Sequence, residues 1–212
     1  MRKKILLICF AFFLSGCTRI DETNQYINLI NNSFTTKNIT NSVSLGYKYY
    51  IPRGVKKIHD YDYNQVFLSD ETSIYLYVDI ISYYYKKELK YKKNTNDIYY
   101  EQIKNGDNVG YIEITKNEAD YLVNIVYNYS KIEFCTSKEK LNKMITLSSI
   151  ILNSITYNNN VVEKVLEGNL GEFSEITYEV KKPAGSSSSF SQYLEEYVQK
   201  EEQKKKENLP DE

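Results

Sequence analysis

His59 is the sole histidine of the chain, so imidazole-based proton transfer would have to run through it. A catalytic base needs its nucleophile within about 3 Å. KKIHDYDYNQ around His59 carries no nucleophile motif such as G-x-S-x-G, and it reads as a loop before a strand. His59 is therefore expected as an exposed loop residue, and one His with the one free Cys, Cys135, does not make a zinc set. Nearby oxygens suggest a harder ion. Asp60, Asp62, Asn64 and Glu71 fall at the spacing of ligand positions 1, 3, 5 and 12 of a calcium loop. Gln65 stands where that loop needs Gly for its sharp turn, flanking helices are missing, and VFLS reads as strand. These departures favour a polar loop over a metal site.

The second candidate surface is aromatic. The chain has 22 Tyr and no Trp. SIYLYVDIISYYY, residues 73–85, is rich in β-branched and aromatic residues and reads as one long strand. Side chains alternate across a strand, so Ile74, Leu76, Val78, Ile80, Ser82 and Tyr84 would form a core face. Tyr75, Tyr77, Tyr83 and Tyr85 would share the opposite face with Asp79 and Ile81. Such a face offers large flat area with polar tips to a glycan or peptide. Two plainer explanations compete: a helix covers the face, or AT-rich codon usage supplies the tyrosines.

Other strands must hold these residues in place. Residues 47–51 and 65–69 read as short strands, the first stopped by Pro52 and Gly54. DIYYEQI and GYIEITK flank Asn105-Gly106, a strong hairpin cue. A further strand spans 120–135, and the whole reads as an antiparallel meander. The period then becomes helical. Thr136 and Glu139 fit a capping box, and Leu141, Met144, Ile145, Leu147, Ser148, Ile151 and Leu152 recur at helical spacing, predicting a helix over 137–153. A short strand is expected at 154–157, a short helix at 161–167 and a strand at 176–180. The fold class expected is α+β: an antiparallel sheet packed with a C-terminal helix, between a flexible N-terminal tether and a C-terminal tail.

The chain's beginning has its own pattern. Arg2, Lys3 and Lys4 precede an apolar run from Ile5 to Leu14, too short to span a bilayer as a helix. Leu14-Ser15-Gly16-Cys17 then resembles a bacterial lipobox. That resemblance implies a diacylglyceryl group on Cys17 and cleavage just before it, and acyl chains contribute about 0.8 kcal/mol per buried methylene. Cleavage removes Arg2, Lys3 and Lys4 and no acid, leaving 24 basic against 28 acidic residues. That balance argues against nucleic acid as a partner. Cys135, alone once Cys9 has left and Cys17 is lipidated, reads as a small buried hydrophobe.

The expected organisation is a signal peptide at 1–16, a lipidated Cys, tether and short helix at 17–45, a globular domain at 46–158, an extension at 159–182, and a Ser-rich linker with a charged tail at 183–212. Within the domain, Gly46, Tyr47, Tyr49, Ile51 and Pro52 open a strand, and Ser154-Ile155 follows the long helix. This resembles the PsbP-like α/β sandwich of several bacterial lipoproteins and extrinsic photosystem II proteins. The resemblance implies a fold without a shared active site. The function expected is a lipid-anchored, non-catalytic binding or assembly module on the outer face of the cytoplasmic membrane, or on the outer membrane of a Gram-negative host. Its partner would be an envelope protein or glycan, and no cofactor is expected. The alternative is an enzyme or solute receptor.

Overall fold

A computed structural model describes residues 22–91 and 93–168. Cys17 and the residues before it, the expected strand at 176–180 and the expected linker and tail at 183–212 lie outside the described residues.

The described chain is α+β with two antiparallel sheets. Helix α1 (Glu22–Thr35) leads into β1 (Ser42–Ser44) and β2 (Tyr47–Tyr49). Three strands follow, β3 (Lys56–Tyr61), β4 (Asn64–Ser69) and β5 (Thr72–Val78), then the single-turn helix α2 (Ile80–Tyr84). The second strand group is β6 (Asp97–Asn105), β7 (Asn108–Asn117), β8 (Asp120–Tyr127) and β9 (Ser130–Thr136). Helix α3 (Lys138–Ser154), β10 (Thr156–Tyr157) and α4 (Asn159–Glu167) complete it.

The large sheet runs β3-β4-β5-β9-β8-β7-β6, and the small one β1-β2-β10. The expected single meander is thus two. β5 pairs with β9, and the chain must travel from the sheet's centre to its far edge before β6 begins. Crossing β9, β8 and β7 covers four strand spacings, about 19 Å.

One face of the large sheet is the core face. Ile74, Leu76, Val78, Ile112, Ile114, Val123, Ile125, Ile132 and Phe134 point into it and are almost wholly buried. Helix α3 covers them with Leu141, Met144, Ile145, Ile151 and Leu152, each buried. A fully buried Leu or Ile contributes about 1.5–3 kcal/mol, so this seam is the main source of stability.

Residues 22–35 form the short helix expected there, but it packs against the core instead of riding on a free tether. Ile30 is wholly buried, the Tyr26 ring meets Tyr99 edge-on at 5.1 Å, and Phe34 lies 4.4 Å from Tyr127. The packed body therefore begins with α1 and not at Gly46. It also extends past Asn158, because α4 buries Val162 and Val165.

Three local expectations are corrected. The 73–85 strand stops at Val78, where Asp79 Oδ1 accepts from Ser82 N at 2.8 Å and caps α2. The 120–135 strand is two strands, because Asn128 and Tyr129 both take positive φ, 47° and 59°, as a two-residue hairpin turn requires. Thr136 is not the cap of α3. It ends β9, buried, with its hydroxyl 3.2 Å from that of Thr72, and Ser137 takes the cap position without a side-chain bond.

Candidate functional site

The calcium-spaced residues do not converge. Asp60 lies in β3 one residue before its end, Asp62 sits in the β3–β4 turn, and Asn64 opens β4. Glu71 lies in the β4–β5 turn, beyond the full length of the six-residue β4, so about 17–20 Å of strand separates it from Asp62. Asp60 pairs with Lys57, and Glu71 Oε2 lies 3.6 Å from Lys140 Nζ. Gln65, wholly buried, knits the first hairpin instead. Its Nε2 donates to Asp60 Oδ1 at 3.1 Å and to the Asp62 carbonyl at 2.9 Å, while its Oε1 accepts from Tyr47 Oη at 2.7 Å. Among the described residues no group of three His, Cys, Asp or Glu is placed to hold a metal ion.

His59 lies in β3 and not in a loop. Its ring stacks on Tyr61, 5.5 Å between centroids, with Nδ1 3.3 Å from the Tyr61 hydroxyl. Partial burial lowers its pKa from the ordinary histidine value. Cys135 is buried, at 4 % exposure.

The tyrosine stripe is divided by the early end of β5. Tyr75 and Tyr77 remain on the sheet's outer face, both half-buried. Tyr83 belongs to α2 and faces elsewhere: its ring stacks on Tyr157 at 3.7 Å, and its hydroxyl donates to Asn159 Oδ1 at 2.6 Å. Tyr85 follows α2 and is 65 % exposed. Four coplanar tyrosines therefore do not occur.

The outer face is nevertheless organised. Register places Tyr61, Asn64, Tyr77, Lys131, Val126, Tyr111 and Gln102 in one row across the seven strands. The next row reads His59, Val66, Tyr75, Glu133, Asn124, Glu113 and Tyr100. It is polar at its centre, where Asn124 Nδ2 donates to Glu113 Oε1 at 2.9 Å.

Residues 85–91 and 93–96 belong to the long crossing over this face, and Tyr91 fastens it. Its ring stacks on Tyr100 at 4.5 Å with a 7° tilt and lies 4.0 Å from Tyr111. Its hydroxyl donates to Glu113 Oε2 at 2.6 Å and lies 3.1 Å from Asp97 Oδ2. Burial, and then the bond to Glu113, push the Tyr91 pKa up. The other end of the crossing is held by α2.

Between strap and sheet lies a cleft of about 490 Å³. Tyr77, Tyr111, Val109 and Val126 come from the sheet, Tyr129 from the β8–β9 turn, and Lys86, Lys87, Leu89 and Lys90 from the strap. That volume lies in the range of small-ligand sites, about 300–1,000 Å³. Chemically the lining offers aromatic and aliphatic contact with a lysine-rich side. Sequence reasoning singled out Tyr77 but not Tyr91, Tyr111 or the lysines. Their convergence depends on β5 pairing with β9, which no local pattern encodes.

Compared with known protein families and with curated proteins, the chain matches no family model and no curated protein.

Proposed function

We propose that this is a lipid-anchored extracytoplasmic lipoprotein, held through Cys17, that acts as a non-catalytic binding or assembly module for an envelope component. The observation that carries the reading is the strapped cleft on the outer face. Among the described residues the helices α1 and α3 pack on the core side, and the outer face keeps half-buried tyrosines beside a crossing segment pinned by Tyr91. An aromatic surface with polar tips suits recognition. The lipobox resemblance supports the anchor.

At the finer level of fold we assign the PsbP-like sandwich. Its opening and closing motif residues meet here. β2 pairs with β10, and Ser154 Oγ accepts from Tyr50 N at 2.8 Å. A solute receptor is the second reading, favoured by the volume of the cleft.

A photo-crosslinking amino acid at Leu89, in the full chain expressed in its native envelope, tests the module. Asn142, exposed on α3, is the control. A discrete adduct from Leu89 and none from Asn142 is expected. Equal labelling, or none at either, defeats the reading. In the same cells labelled palmitate should enter the wild-type protein, and Cys17→Ala should accumulate as unlabelled precursor.

A further inference from the structure

The two walls of the cleft differ in chemistry. The sheet side presents Tyr77, Tyr111, Val109 and Val126, with Val109 47 % exposed, while the strap brings lysines and Leu89, itself 40 % exposed. An exposed apolar pair at the mouth of a tyrosine-lined cleft suits the apolar body of a ligand. The charges indicate its other end. Four lysines and three carboxylates line the cleft. One of the carboxylates, Asp79, is committed to capping α2 through Ser82 N, and Lys131 lies 3.6 Å from Glu133, an acid outside the lining. On the strap itself Lys86 Nζ sits 3.9 Å over the Tyr83 ring, Lys87 and Lys90 still outnumber Glu88, and Asp107 belongs to the β6–β7 turn instead.

We propose that the cleft binds a small amphiphilic anion, with an acyl or aryl body against the tyrosines and valines and a carboxylate or phosphate toward the strap lysines. The proposal rests on the binding-module reading and names the part of the envelope component that the module grips. A cation of the same shape would meet the lysines and be repelled. The lysines on the strap are solvent-facing, so they add selectivity and attraction more than bulk affinity, and salt should weaken the attraction.

The test uses the full chain carrying Cys17→Ala, so that no acyl group of its own competes. Isothermal titration is run with decanoate, decyl phosphate and decyltrimethylammonium, all below their micelle concentrations. Saturable binding of one or both anions, and not of the cation, is expected. Decanoate alone indicates a fatty-acid-like ligand, and decyl phosphate a phospholipid-like or phosphorylated one. Lys87→Glu with Lys90→Glu should weaken anion binding about tenfold, and Val109→Asp should weaken it as well. All three side chains are exposed, so unchanged melting temperatures will show that the variants fold. Equal binding of the cation, no binding of either anion, or indifference to both variants overturns the proposal. If anions fail to bind while the Leu89 adduct persists, the ligand class falls and the binding module stands.

Discussion

The Tyr91 hydroxyl donates to Glu113 Oε2 at 2.6 Å, tying the middle of an irregular crossing to β7, one strand in from the edge of the sheet. Glu113 also accepts from Asn124 Nδ2, and Asp97 beside it accepts from Thr115 Oγ1 at 3.1 Å and from Asn94 N at 3.1 Å. Asn124 and Thr115 thus hold the carboxylates from the sheet, and the strap contributes the Tyr91 hydroxyl and the Asn94 backbone N–H. Removing the hydroxyl alone, as in Tyr91→Phe, keeps the ring stack and should cost about 1 kcal/mol in urea melts. Amide exchange across 86–90 should quicken. Tyr91→Ala should cost about 0.5–1.5 kcal/mol more for each ring pair lost. Unaltered exchange in Tyr91→Ala would show that the strap is held elsewhere.

Tyr83 and Tyr85 stand two residues apart and should respond differently. Tyr83 stacks on Tyr157, bonds Asn159 and carries Lys86 Nζ 3.9 Å above its ring. Tyr83→Ser therefore loses the link between α2 and α4 and should cost roughly 1–3 kcal/mol. Tyr85, largely exposed, should change stability by less than about 0.5 kcal/mol when replaced by Ser. Equal losses in chemical denaturation would contradict this placement of α2.

Alkaline pH should destabilise the protein through buried phenols. Burial raises the pKa of Tyr47, Tyr157 and Tyr63, the last pushed up to about 12. In the unfolded chain tyrosine titrates near pH 10. Above that value the unfolded state holds fewer protons than the folded state, so stability falls as pH rises. The contribution is fully present below about pH 10 and is lost as pH climbs toward the folded values. Urea midpoints measured from about pH 9 to 11.5 should decline, and Tyr63→Phe should make the decline shallower. An identical slope in that variant would count against burial as the cause.

Much of this fold was legible where local chemistry is explicit. Asn105-Gly106 marked a real hairpin, with Gly106 at φ 61° in the turn, and helical spacing from Leu141 to Leu152 located α3. The remaining hairpins hide their turns. Asp62, Asp70, Glu71, Glu118, Asn128 and Tyr129 adopt positive φ without being glycine, so 120–135 looked like one strand. Asp79 likewise looked like one polar position in an alternating run, although its carboxylate was ending the strand and starting a helix. The cleft was least visible. Tyr77 and Tyr111 are far apart in sequence, and they line one cleft only because β5 pairs with β9.

Gly110 offers a sharp test of the β7–β8 pairing. A Cβ at this position would sit 2.0 Å from the Val126 carbonyl oxygen and 2.9 Å from the Tyr127 Cα, both backbone atoms of the neighbouring strand. Backbone cannot swing aside as a flexible side chain does, so Gly110→Ala must push β7 and β8 apart. Overpacking of this kind costs about 1–3 kcal/mol, occasionally more. A melting temperature within experimental error of wild type would show that the strands approach less closely there.

The β4–β5 turn should be improvable. Asp70 and Glu71 take φ values of 45° and 65° in a two-residue loop between Ser69 and Thr72. Such turns favour Asp-Gly, because a side chain in the left-handed region costs about 1–2 kcal/mol. Glu71→Gly gives the turn that pair. The change also removes the 3.6 Å contact with Lys140, but Glu71 is solvent-exposed and such pairs add little. Glycine's greater freedom in the unfolded chain offsets part of the gain. The net result should be a melting temperature about 2–4 °C above wild type. The same variant examines the calcium spacing that includes Glu71. With Asp62 and Glu71 at opposite ends of β4, added calcium or a chelator should leave both proteins' melting temperatures unchanged. A calcium-dependent rise in the wild type that disappears in Glu71→Gly would mean that these carboxylates do share an ion.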